Sequence, residues 1–137
     1  MMKRLIFVLA TLPLLASPAE AVYVGVLSSA LTTTFTVSNP STNTNLGSAA
    51  ATICLLVPSE NHAAGSEPAC FPLTAAPGAS PQVTLNLTGT TRVRVDVAIP
   101  NAANIHPVTL VVVQAATRAT TFTLPVTADA GFVFDVQ

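Results

Sequence analysis

Arg92-Val93-Arg94-Val95-Asp96-Val97-Ala98-Ile99 decides the fold class of this chain. Val93, Val95, Val97 and Ile99 occupy one side of a period-two repeat, and Arg92, Arg94, Asp96 and Ala98 the other. Successive strand side chains point to opposite faces, so this pattern belongs to a sheet with one dry face and one wet face. Just upstream, Gln82-Val83-Thr84-Leu85-Asn86-Leu87 alternates in the same way, and Thr88-Gly89-Thr90 between the two runs predicts a hairpin turn.

Strand signals continue in both directions. Val22 to Leu27 is β-branched and apolar, and Thr32 to Val37 sets Phe35 and Val37 opposite Thr34 and Thr36 before Ser38-Asn39-Pro40-Ser41 ends it. Ala50 to Val57 carries Cys54 up to Pro58, and the polar, small-residue stretch from Ser59 to Ala69 reads as a loop. Val108 to Val113 is apolar throughout, as expected of a central strand covered on both sides. Thr120 to Val126 alternates with Phe122, Leu124 and Val126 inward, and Phe132 to Val136 is a final strand. No helical stripe interrupts the series. The pattern predicts an all-β chain, an antiparallel Ig-like β-sandwich of about 7–9 strands, with a small closed β-barrel as the alternative.

The first residues read as an address. Met1-Met2-Lys3-Arg4 is basic, Leu5 to Ala16 is apolar, and Ser17-Pro18-Ala19-Glu20-Ala21 supplies a small-residue cleavage site. An apolar run of about twelve residues is shorter than the roughly 20 that span a bilayer. Residues 1–21 are therefore expected to be a signal peptide, and 22–137 a single domain with no membrane span after signal removal. The expected destination is the periplasm, the cell surface or the extracellular space. Cys54 and Cys70 are the only cysteines, sixteen positions apart rather than in a redox C-x-x-C, and predict one structural disulfide. Closing such a loop is worth about 3 kcal/mol in the chain-entropy model.

Charge excludes several functions. Residues 22–137 contain no lysine, three arginines (Arg92, Arg94, Arg118) and five carboxylates. Phosphate recognition needs clustered basic residues, so nucleic acid and anionic lipid are not expected partners. No lysine is available for a Schiff base, no G-x-S-x-G elbow surrounds a serine, and no cofactor motif occurs, so neither an enzyme nor a bound cofactor is expected. Glu60, His62 and Glu67 share the loop between the cysteines and are weighed as metal ligands, with His106 as a more distant contributor. The ordinary reading of such residues is a solvated loop. Arg92, Arg94 and Asp96 lie at i, i+2, i+4 on one wet face, either as a small patch for a glycan or an anion or as a solvated face with Arg94–Asp96 pairing.

Both ends of the domain are apolar and strand-prone: Val22, Tyr23, Val24, Val26 and Leu27 at one, Phe132, Phe134 and Val136 at the other. Each can pair with its own sandwich, or one can complete a neighbour's sheet by strand exchange, because an uncharged edge is a template for strand addition. In its leader, size, single cysteine pair and Thr/Ala/Val-rich strands the chain resembles exported fimbrial or pilin-type subunits. Chaperone–usher members end on a penultimate aromatic with a glycine well upstream; here Val136 is penultimate and Gly131 is close to the end. The resemblance implies a β-sandwich that associates with itself or with other exported subunits. The expected function is a non-catalytic structural subunit of a surface fibre, pilus or surface layer. A monomeric binding module for glycan or a small ligand is the alternative, and a periplasmic metal binder using His62 and His106 is third.

Overall fold

The computed structural model describes residues 21–41, 47–57, 69–99, 107–115 and 120–137. Among the described residues nine strands follow one another: β1 (Val22–Leu27), β2 (Thr32–Ser38), β3 (Ala49–Leu56), β4 (Ala69–Ala75), β5 (Gln82–Asn86), β6 (Arg92–Ala98), β7 (Val108–Gln114), β8 (Thr120–Val126) and β9 (Ala130–Val136). They form a five-stranded sheet in the order β1-β9-β6-β3-β4 and a four-stranded sheet in the order β5-β2-β7-β8. The fold is all-β, as the alternation requires, and two open sheets take the place of a closed barrel.

The inward faces of both sheets supply the core. Phe35 and Val37 of β2, Ala51 and Ile53 of β3, Val93, Val95 and Val97 of β6, and Leu110 and Val112 of β7 are all buried. Each is separated from the next on its strand by one outward residue, so period two in the sequence becomes inside and outside in the sandwich. Phe35 and Phe134 are the bulkiest fully buried side chains among the described residues.

Four features depart from the sequence reading. The β1–β9 ladder is parallel, whereas every other ladder is antiparallel, so the first and last strands run side by side in one direction. Thr88-Gly89 does not join a hairpin, because β5 pairs with β2 in one sheet and β6 with β3 and β9 in the other. The turn itself is tight: Thr90 N donates to Leu87 O at 2.9 Å, and Gly89 takes a φ of 81°, a conformation cheap only for glycine. It carries the chain from the four-stranded sheet to the five-stranded one, and Leu85 and Leu87 on the approach to it are both buried.

β4 has no counterpart in the sequence reading, and it contains Pro72. Proline is tolerated there because β4 is an edge, where one side of the strand needs no donor. β7 is central in its sheet but covered on one side only. Val108, Leu110, Val112 and Gln114 are buried, whereas Thr109, Val111 and Val113 lie half-buried on the outer face. The strand order does not establish an Ig-like topology, and the disulfide lies within one sheet rather than bridging two as in antibody domains.

Candidate functional site

The first strand is held by its inward residues and left open by the rest. Val22, Gly25 and Leu27 lie opposite Phe132, Phe134 and Val136 of β9, while Tyr23 and Val26 lie opposite Val133 and Asp135. The register shifts between Tyr23 and Gly25, leaving Val24 as the extra residue of a bulge. Gly25 is required by close approach: a Cβ there would come within 2.9 Å of the Phe122 ring. That ring meets Phe134 edge-on with centroids 5.5 Å apart, so β8 of the opposite sheet clamps the β1–β9 ladder. Leu27 is 1 % exposed and anchors the end of the strand.

The open side of β1 differs. Val22 is 60 % exposed, Tyr23 56 % and Val26 42 %, and Val57 is the one other exposed large apolar side chain among the described residues. The described edges are β1 and β4 in one sheet and β5 and β8 in the other. β4 contains Pro72, β8 contains Pro125, and β5 is 5 residues long. Proline and shortness both blunt an edge against further pairing. β1 has neither proline nor charge. At the opposite end of the chain, Phe132, Phe134 and Val136 are buried and β9 is flanked by β1 and β6, so β1 is the terminal strand with an open side.

A buried amide, Gln114, pins the connection from β1 to β2. Its Oε1 accepts from Ser28 N at 2.9 Å, and its Nε2 donates to Ser28 O at 2.9 Å and to Thr33 Oγ1 at 2.8 Å. The side chain thus acts on Ser28 as a neighbouring strand's backbone would. Gln137 N donates to Leu27 O at 2.9 Å beside it. Asn39 plays a similar part at the end of β2, where its Nδ2 donates to Ala75 O at 3.0 Å. Neither role is evident in the sequence, because an isolated Gln or Asn at a strand end looks like a solvated terminus. The one legible signal was a polar residue on the inward parity of an apolar strand, Gln114 following Val108, Leu110 and Val112.

Arg92, Arg94 and Asp96 do share the outer face of β6, and carboxylates already engage both arginines. Arg92 Nη2 lies 3.3 Å from Asp135 Oδ1 across the β6–β9 ladder, and Arg94 Nε lies 3.0 Å from Asp96 Oδ2. Hydrogen bonds from Arg94 to Asp96, and then the charge of that carboxylate, raise the Arg94 pKa above its ordinary value. Gly131 of β9 makes room for this pair, since a Cβ there would come within 3.0 Å of Asp96 Oδ1 and 3.3 Å of Arg94 Nη2. Beside it runs a shallow groove of about 310 Å³, lined by small residues with Asp96 and Asp129. Asp129 Oδ1 accepts from Ile99 N at 2.8 Å, so both groove carboxylates serve bonds within the fold.

Cys54 and Cys70 form a disulfide between directly opposed residues of β3 and β4, with Cα atoms 4.0 Å apart. A disulfide is compatible with an oxidising, exported location. Glu60, His62, Glu67 and His106 lie outside the described residues, as does the expected signal peptide up to residue 20. Among the described residues no group of three His, Cys, Asp or Glu side chains could hold a metal ion, and no helix is long and apolar enough to cross a membrane. The fold and its edges define a two-sheet β-sandwich with an intrasheet disulfide and one terminal edge strand free of proline and charge. No family model matches the chain, no curated protein matches it, and no solved structure matches it.

Proposed function

We propose that this protein is an exported, non-catalytic structural subunit that joins its neighbours in a surface fibre, pilus or surface layer by strand addition at the edge of its five-stranded sheet. The observation that carries this reading is the clustering of Val22, Tyr23 and Val26, all exposed, on one uncharged edge strand. An exposed apolar edge invites pairing with another chain, and the other described edges carry proline or are short. Composition agrees. Low charge suits a subunit whose surface is to be buried against others, because desolvating charge is costly. The basic and apolar leader, the small-residue cleavage site and the disulfide support export.

The test is light scattering on the protein purified from an oxidising compartment, over a concentration series, with negative-stain imaging of the most concentrated samples. Oligomers or filaments that grow with concentration are expected. A monomer at every concentration overturns the reading and turns attention to a binding module at the Asp96–Asp129 groove.

A further inference from the structure

We infer that β1 pairs antiparallel with β1 of a second copy of this chain, joining two five-stranded sheets into one continuous sheet; this rests on the assembly reading above and names its first contact. An open strand edge offers alternating N–H and C=O groups, and the partner that satisfies them in register is another strand. Charge and sequence narrow which one. Val22-Tyr23-Val24-Gly25-Val26-Leu27 carries no charge, so a charged partner strand would lose solvation there without gaining an ion pair. Of the described edges of a second copy, β4 and β8 lack a donor at Pro72 and Pro125, and β5 turns exposed Gln82, Thr84 and Asn86 outward. β1 matches β1 best: apolar against apolar, with no like charges opposed.

The bulge selects the register. Tyr23 and Val26 both lie opposite outer-face residues of β9, although they are three positions apart. In an uninterrupted strand two such positions point to opposite faces, and the shift between Tyr23 and Gly25 is what aligns them. Twofold pairing that sets Tyr23 opposite the second copy's Val26 also sets Val22 opposite its Leu27, which keeps outer residues with outer and inner with inner. The same pairing between unbulged strands would put each outward side chain against an inward one. Tyr23 then covers the second copy's Val26, an aromatic on a β-branched side chain, twice by symmetry. A bulge that ordinarily discourages edge pairing here specifies one arrangement.

Two consequences follow. The contact is isologous and closes at two chains, so the dimer is the unit from which any longer assembly is built through a second contact. A six-residue strand spans about 20 Å, a short interface, so dimerisation depends on concentration.

Chains carrying Tyr23→Cys or Val26→Cys, oxidised separately and as a mixture with Cys54–Cys70 kept intact, read out the register, and light scattering on the parent chain and Val26→Lys reads out the contact. A mixed disulfide dimer that forms only in the mixture is expected, because position 23 of one copy would sit about 10 Å from position 23 of the other, beyond bridging distance. The Val26→Lys chain is expected to remain monomeric at concentrations where the parent dimerises, with the urea midpoint that the parent shows at concentrations where it too is monomeric. Assemblies that survive Val26→Lys, with no mixed disulfide, overturn β1 pairing and the strand-addition step with it, and leave standing only that the chain assembles through another contact. Cross-linking of either variant with itself as readily as in the mixture overturns the register. A parent chain that stays monomeric throughout overturns both inferences.

Discussion

The two edges of the five-stranded sheet are finished in opposite ways. β4 is closed to further partners: Pro72 withholds a donor, and Cys70 ties the strand covalently to Cys54 on β3. β1 has no covalent tie, proline or charge, and turns Val22, Tyr23 and Val26 to solvent. What holds it is packing and hydrogen bonding alone, through Leu27 in the core, Gly25 beneath the Phe122 ring and the Gln114 bonds to Ser28. The difference teaches that stability and reactivity at an edge are separable. A strand can be firmly seated along its inner side and still present an unguarded outer one.

The comparison is broken most severely on the β4 side. Replacing both cysteines by serine is expected to lower stability by about 3 kcal/mol, seen as a drop in the urea midpoint, because the unfolded chain regains the entropy of an open loop. The loss is expected to fall on β4 first, so hydrogen exchange at Phe71 and Leu73 should quicken before exchange on β9 does. An unchanged midpoint would mean that the ladder alone holds β4.

On the β1 side the corresponding break is Gly25→Val. The added side chain collides with Phe122, and overpacking of this kind costs about 2 kcal/mol. Trimming the ring in a Gly25→Val/Phe122→Leu double variant should recover part of that loss, and strict additivity in a thermal-unfolding cycle would show that the two residues do not meet.

Gln114→Leu sharpens the comparison further, since it removes three hydrogen bonds at the β1–β2 connection without touching the ladder. Its expected cost is about 1 kcal/mol, because Ser28 lines an opening that water can enter to replace the lost partners. Hydrogen exchange at Ser28 should accelerate while that of the β6 valines stays slow. The smallest effect belongs to Arg92→Ala. Its ion pair with Asp135 is exposed on both sides (56 % and 38 %), and such pairs contribute about 0–1 kcal/mol. A midpoint shift as large as that of the disulfide variant would show that the pair organises the β6–β9 ladder.

Much of this was legible in advance. Alternation in Thr32–Val37, Gln82–Leu87 and Arg92–Ile99 named the inward residues of β2, β5 and β6. The cysteine pair predicted a disulfide that the structure contains. The candidate site was half legible. β1 stood out as an uncharged apolar segment, yet the matching segment at the other end became a flanked strand with its aromatic side chains in the core. Nothing in either stretch distinguishes an edge from an interior strand, because neighbours are assigned by contacts far apart in the chain.

Periodicity and composition alone establish that the chain is all-β, which side of most strands is dry, where several of its turns fall and that two cysteines are available to pair. Those properties depend on local periodicity and composition, which a short window contains. Long-range contacts are needed to establish that Thr88-Gly89 crosses between sheets, that Pro72 sits in an edge strand, that β1 runs parallel to β9, and that Gln114 turns inward to hold Ser28. Each of these depends on which strand becomes a neighbour, and that choice is made by burying all the inward faces at once rather than by any one segment.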